Sequence, residues 1–389
     1  MFKRIQIDRF RSCENVVLDN LGPMTALVGP NGAGKTNILK AIEWLARTTT
    51  QNVALTSVYA LAPLQMECEI SIDRCIYHYA IRFESNEAAH PNPEWLLAES
   101  LSVVTTSGTH RAIFERTGNT VHNQLSGESL QLGTNSPAMP ALDAILPSSA
   151  PLLVHIRPVM QFLRSIRYYL LDEDTEDLDH RLGLVRTSDY ESWLADREVS
   201  GLPSNSVLTG LLHLYLAETE RFEELTSLLG PHGLAVLDGI TVRETAVGET
   251  PQSKFYSFWF KPNVDSEQIT FFDGLSYGTR RILRLITALL LDRSSVMLLE
   301  HPEDGIHRGL LRKVISLLET YSADCQFILS SHSSVVLDSL TPLQTRLVAM
   351  RHGETLVRGL TDIELAAAKS FLDAEGPFSD FLETVQDEG

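Results

Sequence analysis

The chain contains no long apolar run. Nothing in its 389 residues approaches the ~18 consecutive apolar residues that a membrane-spanning helix requires. The N-terminus, "MFKRIQIDRFRSCENVVL", alternates charged and apolar residues and has no apolar block before a small-residue cleavage site, which argues against a secretory signal peptide. These two absences predict a cytoplasmic protein that has no membrane partner.

Cysteine is scarce and basic charge is in deficit. Cys13, Cys68, Cys75 and Cys325 are scattered and never in C-x-x-C spacing, so neither a disulfide framework nor a zinc site is predicted. The net charge is −18. A protein that grips DNA over a broad surface normally carries a basic surplus, because phosphate neutralisation supplies much of the affinity. The acidity therefore argues against broad DNA binding and leaves only a local basic stripe open.

Sustained heptads and internal repeats are also missing, so no long coiled coil is predicted. What is present is a mixture of strand and helix patterns. The first third reads as alternating antiparallel strands, residues 118–151 as loops, and residues 152–230 as helices around the acidic run "DEDTEDLD". The last third alternates helices with the apolar strands "SVMLLE" and "QFILSS", which indicates parallel strands joined by crossover helices.

A phosphate-binding loop follows the second apolar strand. "GPNGAGKT", residues 29–36, fits G-x-x-x-x-G-K-[ST] and lies between the strand "MTALV" and a helical pattern. Glycines let successive backbone N–H groups and a helix N-terminus face an anion. Lys35 is expected to reach the outer phosphates, and the Thr36 hydroxyl is expected to bind Mg²⁺.

Two further strands end on polar residues that suit the same chemistry. "VMLLE" delivers Glu300, a carboxylate for the metal side of a nucleotide site. "QFILSSH" delivers His332, which can hydrogen-bond a γ-phosphate or an attacking water. Ser276 and Gly278 in "LSYGTRR" open a helix and form a second anion cradle. One P-loop site does not need two cradles, whereas two chains facing each other do.

Together these motifs resemble the ABC-type ATPases of the RecF, SMC and OLD (overcoming lysogenization defect) group, and most of all its stand-alone members with compact heads. The segments that carry the resemblance are "IQIDRFRSCENVVL", "GPNGAGKTNILKAI", "LSYGTRR", "LLEHPEDGIH" and "SSHSSVVLDSL". The resemblance implies an α/β fold: a P-loop ATPase head with a mostly parallel core sheet, an antiparallel β lobe and a helical insertion. The expected domains are residues 1–150 with the P-loop and antiparallel sheet, 151–235 as a lid-like helical insertion, and 236–389 with the remaining motifs.

The resemblance also assigns roles residue by residue. Catalysis is expected at Glu300, His301 and His332, and the metal is expected at Thr36 and Glu300. Asp304 would lie in the D-loop. The positions expected to bind nucleotide are Arg11, Asn31, Gly32, Ala33, Gly34, Lys35, Thr36 and Asn37. The signature expected to cap the nucleotide of a second copy comprises Ser276, Gly278, Thr279 and Arg281. ATP and Mg²⁺ are the implied cofactors, and a homodimer or higher homo-oligomer is the implied assembly.

Two positions depart from the family pattern. His301 stands where a second carboxylate is usual, and Tyr277 follows the signature serine where a small or acidic residue is commoner. A neutral imidazole accepts a proton near pH 7 but adds no charge to balance Mg²⁺. Three interpretations of His301 remain open: slow or conditional hydrolysis with Glu303 or His332 sharing the water, ordinary turnover, and no hydrolysis.

The resemblance further implies a role as a sensor or scaffold subunit that acts beside a separate effector, a nuclease or a toxin, in defence against phage. A TOPRIM nuclease would need a far longer extension after His332, so the chain is not expected to cut nucleic acid itself. Three alternatives stay open: a RecF-like DNA clamp, a transporter motor and a non-catalytic ATP-dependent scaffold. The wide spacing of Lys35 and Ser276 argues against the motor. The clamp would draw on one of two basic groups on helices: Arg280, Arg281 and Arg284, or Arg308, Arg312 and Lys313.

Overall fold

The computed structural model describes residues 1–50, 64–86, 94–105, 108–133, 137–170, 182–200, 206–246, 254–262, 269–374 and 376–387. The chain divides into two compact units. Unit 1 comprises Met1–Tyr168, Ser295–Glu300 and Glu319–Gly389, and unit 2 comprises Tyr169–Ser294 and His301–Leu318. The chain therefore passes from unit 1 to unit 2 between Glu300 and His301, inside the motif "LLEHPEDGIH".

The secondary structure confirms the predicted mixture of strands and helices. The strands are β1 (Phe2–Asp8), β2 (Val16–Leu18), β3 (Met24–Val28), β4 (Leu64–Ile72), β5 (Cys75–Asn86), β6 (Glu94–Val104), β7 (His110–Thr117), β8 (Thr120–Asn123), β9 (Ser129–Gln131), β10 (Ile166–Leu170), β11 (Leu184–Arg186), β12 (Leu237–Ala246), β13 (Lys254–Pro262), β14 (Val296–Glu300), β15 (Gln326–Ser331), β16 (Thr345–Arg351) and β17 (Glu354–Arg358). The helices are α1 (Lys35–Thr50), α2 (Ala138–Ile145), α3 (Leu153–Arg164), α4 (Thr187–Ser200), α5 (Val207–Ala217), α6 (Thr219–Leu229), α7 (Tyr277–Leu291), α8 (Arg308–Tyr321), α9 (Ser334–Leu337), α10 (Asp362–Ala374) and α11 (Phe378–Asp387).

The sheet that positions the candidate site has the strand order β10-β14-β15-β3-β16-β17. Its neighbours β14, β15, β3 and β16 run parallel, and β17 closes the edge as an antiparallel hairpin with β16. Every residue of β3, β14 and β15 is buried, as expected of strands covered on both faces. Glu300 pairs with Ser330 and Ser331 with Val28, so the carboxyl ends of β14, β15 and β3 lie at one edge.

The second sheet of unit 1 is antiparallel, with the order β2-β1-β4-β5-β6-β7-β8-β9. The burial of β4 alternates along the strand, because successive side chains point to opposite faces. The predicted hairpin of β4 and β5 turns at Asp73 and Arg74, which both have positive φ values (45° and 69°), as a two-residue turn with the right twist requires. Helices α1 and α3 contribute to the same buried core as both sheets.

Unit 2 contains helices α4 to α7, most of α8 and a small sheet with the order β11-β13-β12. Helix α7 carries one continuous apolar face, with buried residues from Ile282 to Leu291. Ser276 caps its N-terminus, where the side-chain oxygen accepts a hydrogen bond from Thr279 N at 3.2 Å. The predicted helices in "SVLTGLLHLYLAETERFEELTSLLG" are confirmed as α5 and α6, which are separated at Glu218.

Two regional predictions were wrong. Residues 118–151, expected to be loops, contain the strands β8 and β9 and the helix α2. The segment "IRYYL", expected to be helical, forms strand β10 of the core sheet, since pairing with a buried sheet overrides a local helical pattern. The acidic run at residues 172–179 lies outside the described residues. The α/β class, the mostly parallel core sheet and the antiparallel lobe are confirmed, while the boundaries near residues 150 and 235 stay predictions.

No helix in the described part of the chain is long and apolar enough to cross a membrane.

Candidate nucleotide site

The phosphate-binding loop connects β3 to α1, as the sequence predicts. Gly34 has φ +99°, and a Cβ there would lie 1.9 Å from Thr355 Oγ1, so this position accepts only glycine. The loop closes on itself because Lys35 Nζ donates hydrogen bonds to the carbonyls of Gly29 (2.7 Å) and Pro30 (2.9 Å). Lys35 is 4% exposed, and its ammonium is thereby held against the loop.

Arg11 and Asn37 meet beside this loop, as the predicted nucleotide-binding set requires. Arg11 Nη1 donates to Asn37 Oδ1 at 3.2 Å, and Asn37 Nδ2 donates to Ser12 Oγ at 2.7 Å. The Ser12 and Thr355 hydroxyls share a further hydrogen bond of 2.7 Å. Thr355 belongs to the β16–β17 hairpin, so this hairpin supports the back of the loop. Ser12 belongs to the opening segment "IQIDRFRSCENVVL", whereas Thr355 lies 343 residues further along and belongs to no motif.

Thr36 and Glu300 converge at the sheet edge. The Thr36 hydroxyl donates to Glu300 Oε1, and the Tyr168 hydroxyl donates to Glu300 Oε2. The Glu300 side chain lies at the end of a buried strand, and the residue is 8% exposed. A hydroxyl and a carboxylate are hard oxygen donors, which fit the preference of Mg²⁺. The predicted metal pair is thus adjacent, and Tyr168 is an additional neighbour that the sequence analysis missed.

His332 follows β15 at the same edge and is exposed. It lines a cavity of about 760 Å³ together with Gly29 and Pro30, the first residues of the phosphate loop. Ser331 Oγ accepts a hydrogen bond from Ser333 N at 3.0 Å, which shapes the turn that carries the imidazole. The sheet therefore places His332 beside the beginning of the loop.

His301 is the first residue of the second segment of unit 2, and its backbone is in the left-handed conformation, with φ +44°. Such a conformation costs a residue with a side chain roughly 1–2 kcal/mol, and local contacts hold it here. Arg281 Nη2 donates to the His301 carbonyl at 2.7 Å, and Asp304 N donates to the same carbonyl at 3.2 Å. The imidazole Nδ1 lies 3.6 Å from Glu303 Oε1. Glu303 is the partner that the sequence analysis named for sharing a water.

The signature segment packs on the turn that contains Asp304. Gly278 approaches Gly305 so closely that a Cβ at Gly278 would lie 2.5 Å from the Gly305 carbonyl oxygen. The Tyr277 ring packs against Gly305, and its hydroxyl accepts a hydrogen bond from Arg281 Nη1 at 2.9 Å. The unusual Tyr277 therefore has a structural role, since it joins the signature helix to the turn after His301.

The two basic groups differ in exposure. Arg281 is 2% exposed and bonded within unit 2, which leaves its predicted contact with a second copy's nucleotide without further support. Arg280 pairs with Asp273 at 3.1 Å, and Arg284 lies over the Phe272 ring. This group does not form the exposed stripe that was considered from the sequence. By contrast, the second group on α8 is exposed: Arg308, Arg312 and Lys313.

The comparisons with known proteins agree with this geometry. Residues 164–338 match the family model described as "AAA domain, putative AbiEii toxin, Type IV TA system", and residues 4–113 match a second model described as "AAA domain". A segment of 43 residues is 60% identical to the OLD nuclease of Thermus scotoductus, and it spans 11% of this chain and 8% of that protein.

Solved structures of SMC heads were also found. The SMC head domain from Thermotoga maritima is 15% identical over 92% of this chain and 99% of that chain, with a TM-score of 0.43. An Smc head domain bound to the C-terminal domain of ScpA from Pyrococcus furiosus is 14% identical over 96% and 98%, with a TM-score of 0.47.

The phosphate loop, the acid at the strand end and the two domain matches define the class of the protein, an AAA/ABC-type ATPase. Together with the 43-residue segment shared with an OLD nuclease, these matches make the chain similar to ATPases of the RecF/SMC/OLD group.

Proposed function

We propose that the protein binds Mg·ATP at the edge of β3 and β14 and hydrolyses it slowly or conditionally as a dimer. The observation that carries the proposal is the hydrogen bond between Thr36, at the end of the phosphate loop, and Glu300, the last residue of the buried strand β14. In the dimer, the phosphate loop of one copy would face Ser276 and Gly278 of the other. The N-terminus of α7 supplies backbone N–H groups suited to phosphate there.

Each residue has a defined task in this mechanism. The N–H groups of residues 31–36 and the N-terminus of α1 hold the phosphates, and Lys35 contacts the outer ones. Mg²⁺ would be held by Thr36 and Glu300, and when bound it neutralises charge on the phosphates. His301, His332 or both orient the water that attacks the terminal phosphorus as the bond to the ADP oxygen breaks. Because an imidazole replaces the usual carboxylate at position 301 and its backbone is constrained, we expect slow turnover.

Light scattering and phosphate release test this proposal on purified wild-type protein and Lys35→Ala. We expect Mg·ATP to convert wild-type monomers to dimers with slow phosphate release, and Lys35→Ala to do neither. ATP-dependent dimers without any phosphate release would instead identify a non-catalytic scaffold. A wild-type protein that does not bind Mg·ATP would contradict the proposal.

We further propose that this ATPase is a cytoplasmic sensor or scaffold subunit that acts with a separate nuclease or toxin in defence against phage. The description of the matching family names a toxin of a type IV toxin–antitoxin system, and the matching relative is named a nuclease. Plaque assays on cells that carry the gene with its genomic neighbours test this role. We expect protection with wild-type protein and none with Lys35→Ala. Equal plaque counts with and without the genes would contradict the role.

A RecF-like DNA clamp is the second candidate, favoured by the exposed Arg308, Arg312 and Lys313 on α8. It predicts duplex DNA binding that requires Mg·ATP and falls steeply between about 50 and 200 mM salt. Fluorescence anisotropy with the double variant Arg308→Glu, Arg312→Glu measures this. Loss of ATP-dependent binding in that variant supports the clamp, whereas no DNA binding by wild-type protein rules the clamp out.

A further inference from the structure

Tyr168 lies at the metal side of the candidate site although no motif includes it. It belongs to β10, next to β14 in the core sheet, and its side chain is half-buried against the core of unit 1. Its hydroxyl donates a hydrogen bond to Glu300 Oε2, while Thr36 donates to Glu300 Oε1. Both oxygens of the carboxylate are therefore fixed, one by the helix after the phosphate loop and one by the neighbouring strand.

The Tyr168 ring is itself held in place by α1. Lys40 Nζ lies 3.7 Å from the centroid of the ring, in the range of a cation–π contact. Lys40 also pairs with Glu43 at 3.0 Å on the same helix. Thr36 and Lys40 are one turn apart on α1. The helix therefore contacts Glu300 directly through Thr36, and it holds Tyr168, the second partner of Glu300, through Lys40.

We propose that Tyr168 is a positioning residue of the magnesium site, which acts by orienting the Glu300 carboxylate; the inference rests on the function proposed above. A carboxylate has about four lone-pair positions. The bonds from Thr36 and Tyr168 occupy one on each oxygen and leave the others for the metal or its waters. A threonine hydroxyl can donate its hydrogen to Glu300 and still offer an oxygen lone pair to the metal.

The orientation of Glu300 matters more in this protein than in an ATPase that has a second carboxylate at the position of His301. An imidazole carries no negative charge, so His301 adds no second carboxylate at the end of β14, and Glu300 is the acid there that must be oriented toward the metal. A group that orients a metal-binding carboxylate typically changes metal affinity by about 10–100-fold when it is removed. The Tyr168 hydroxyl is thus expected to set how strongly Mg²⁺ strengthens nucleotide binding.

Tyr168→Phe tests the inference because it keeps the ring and its contact with Lys40 and removes only the hydroxyl. Binding of a fluorescent ATP analogue is titrated with Mg²⁺, and again with EDTA in place of Mg²⁺. We expect the Mg²⁺ concentration for half-maximal enhancement to rise by about tenfold, with unchanged affinity in EDTA. Tyr169→Phe is the matched control, since it removes a neighbouring hydroxyl that donates to Asp292 rather than to Glu300.

Three outcomes separate this inference from the proposed function. Wild-type protein that binds no nucleotide, with or without Mg²⁺, defeats the proposed function. Wild-type protein with Mg²⁺-dependent binding and a Tyr168→Phe curve identical to it defeats only the inference. If Tyr168→Phe unfolds, Lys40→Met replaces it in the same titration, because this variant removes the cation that holds the Tyr168 ring and leaves the tyrosine in place. A Lys40→Met curve identical to that of wild type contradicts the inference, and a higher Mg²⁺ concentration for half-maximal enhancement with unchanged affinity in EDTA supports it.

Discussion

His301 is the residue that we propose to limit the rate of the reaction. It follows the buried Glu300 directly, yet its backbone has φ +44° and its carbonyl is fixed by Arg281 and Asp304. These hydrogen bonds involve only the backbone of residue 301, so they fix its backbone position for any side chain at this position. The chemistry of the side chain, an imidazole in place of a carboxylate, is therefore the variable that an experiment can change.

Replacing His301 with glutamate is expected to speed hydrolysis. The substitution adds a carboxylate base and a negative charge at the position directly after Glu300, and a positioned general base typically contributes at least about a hundredfold. We expect Mg·ATP turnover in His301→Glu to exceed the wild-type rate by about tenfold or more, measured as phosphate release at saturating ATP.

His301→Ala and Lys35→Ala are the controls for this measurement. His301→Ala is expected to release phosphate more slowly than wild type, and Lys35→Ala to release none. Wild-type turnover that matches His301→Ala and is not exceeded by His301→Glu would show that position 301 takes no part in the reaction.

The residues of the site divide into those with a motif and those without one. Lys35, Thr36 and Glu300 are predictable because phosphate and metal chemistry demand fixed residue types next to an apolar strand. Tyr168 and Thr355 are not, because each reaches the site from a strand far away in the chain and through a single hydroxyl. The repeated tyrosines of "IRYYL" are the one signal, since aromatic residues favour strands.

At the scale of elements, helix α10 illustrates how local bonds fix a boundary. Thr361 N donates to Glu364 Oε2 at 2.7 Å and Glu364 N donates to Thr361 Oγ1 at 3.3 Å, which is a reciprocal capping box. Arg358, at the end of β17, donates to both Glu364 oxygens at 2.7 and 2.9 Å. The hydrogen bond from Arg358 and those from Thr361 lower the pKa of Glu364 to about 2.

Glu364→Gln is expected to lower the free energy of unfolding by up to about 1 kcal/mol at pH 7, because a glutamine keeps the capping box but loses the charge-assisted hydrogen bonds from Arg358. The folded pKa of about 2 lies below the ordinary value of 4.5, so the stabilisation is fully present above pH 4.5 and is lost as the pH falls toward 2. Urea unfolding at several pH values measures the difference between the two proteins.

Glu354→Gln, which changes an exposed glutamate of the same hairpin, serves as the control and is expected to leave stability nearly unchanged. A wild-type advantage over Glu364→Gln that is absent at pH 7, or that grows on acidification, would contradict the stabilising role of the Arg358–Glu364 pair.

Some strands are predictable from their own sequence, and others form only because they pair with a neighbouring strand. The buried runs "MTALV", "VMLLE" and "QFILSS" are predictable as core strands because each contains at least three consecutive apolar residues. The strands β8 and β9 are only four and three residues long, in a region rich in glycine and serine. Such short strands form because a neighbouring strand offers pairing partners, and that information is not local in the sequence.

At the scale of the whole molecule, the motifs are distributed over both units. The phosphate loop, Glu300 and His332 belong to unit 1, whereas the signature, His301 and Asp304 belong to unit 2. With a net charge of −18, the chain is expected to repel DNA except where α8 presents its basic residues. Self-association through a shared nucleotide, in contrast, requires only that the phosphate loop and the signature of two copies complement each other.

Mixing two inactive variants tests this complementarity most directly. Lys35→Ala lacks the phosphate-loop lysine, and Ser276→Arg blocks the signature cradle. Each alone is expected to release no phosphate. In a mixed dimer, one of the two sites combines an intact phosphate loop with an intact signature, so an equal mixture is expected to regain about one quarter of the wild-type rate. A mixture as inactive as its components, although both variants are folded and exchange subunits, would contradict the shared site.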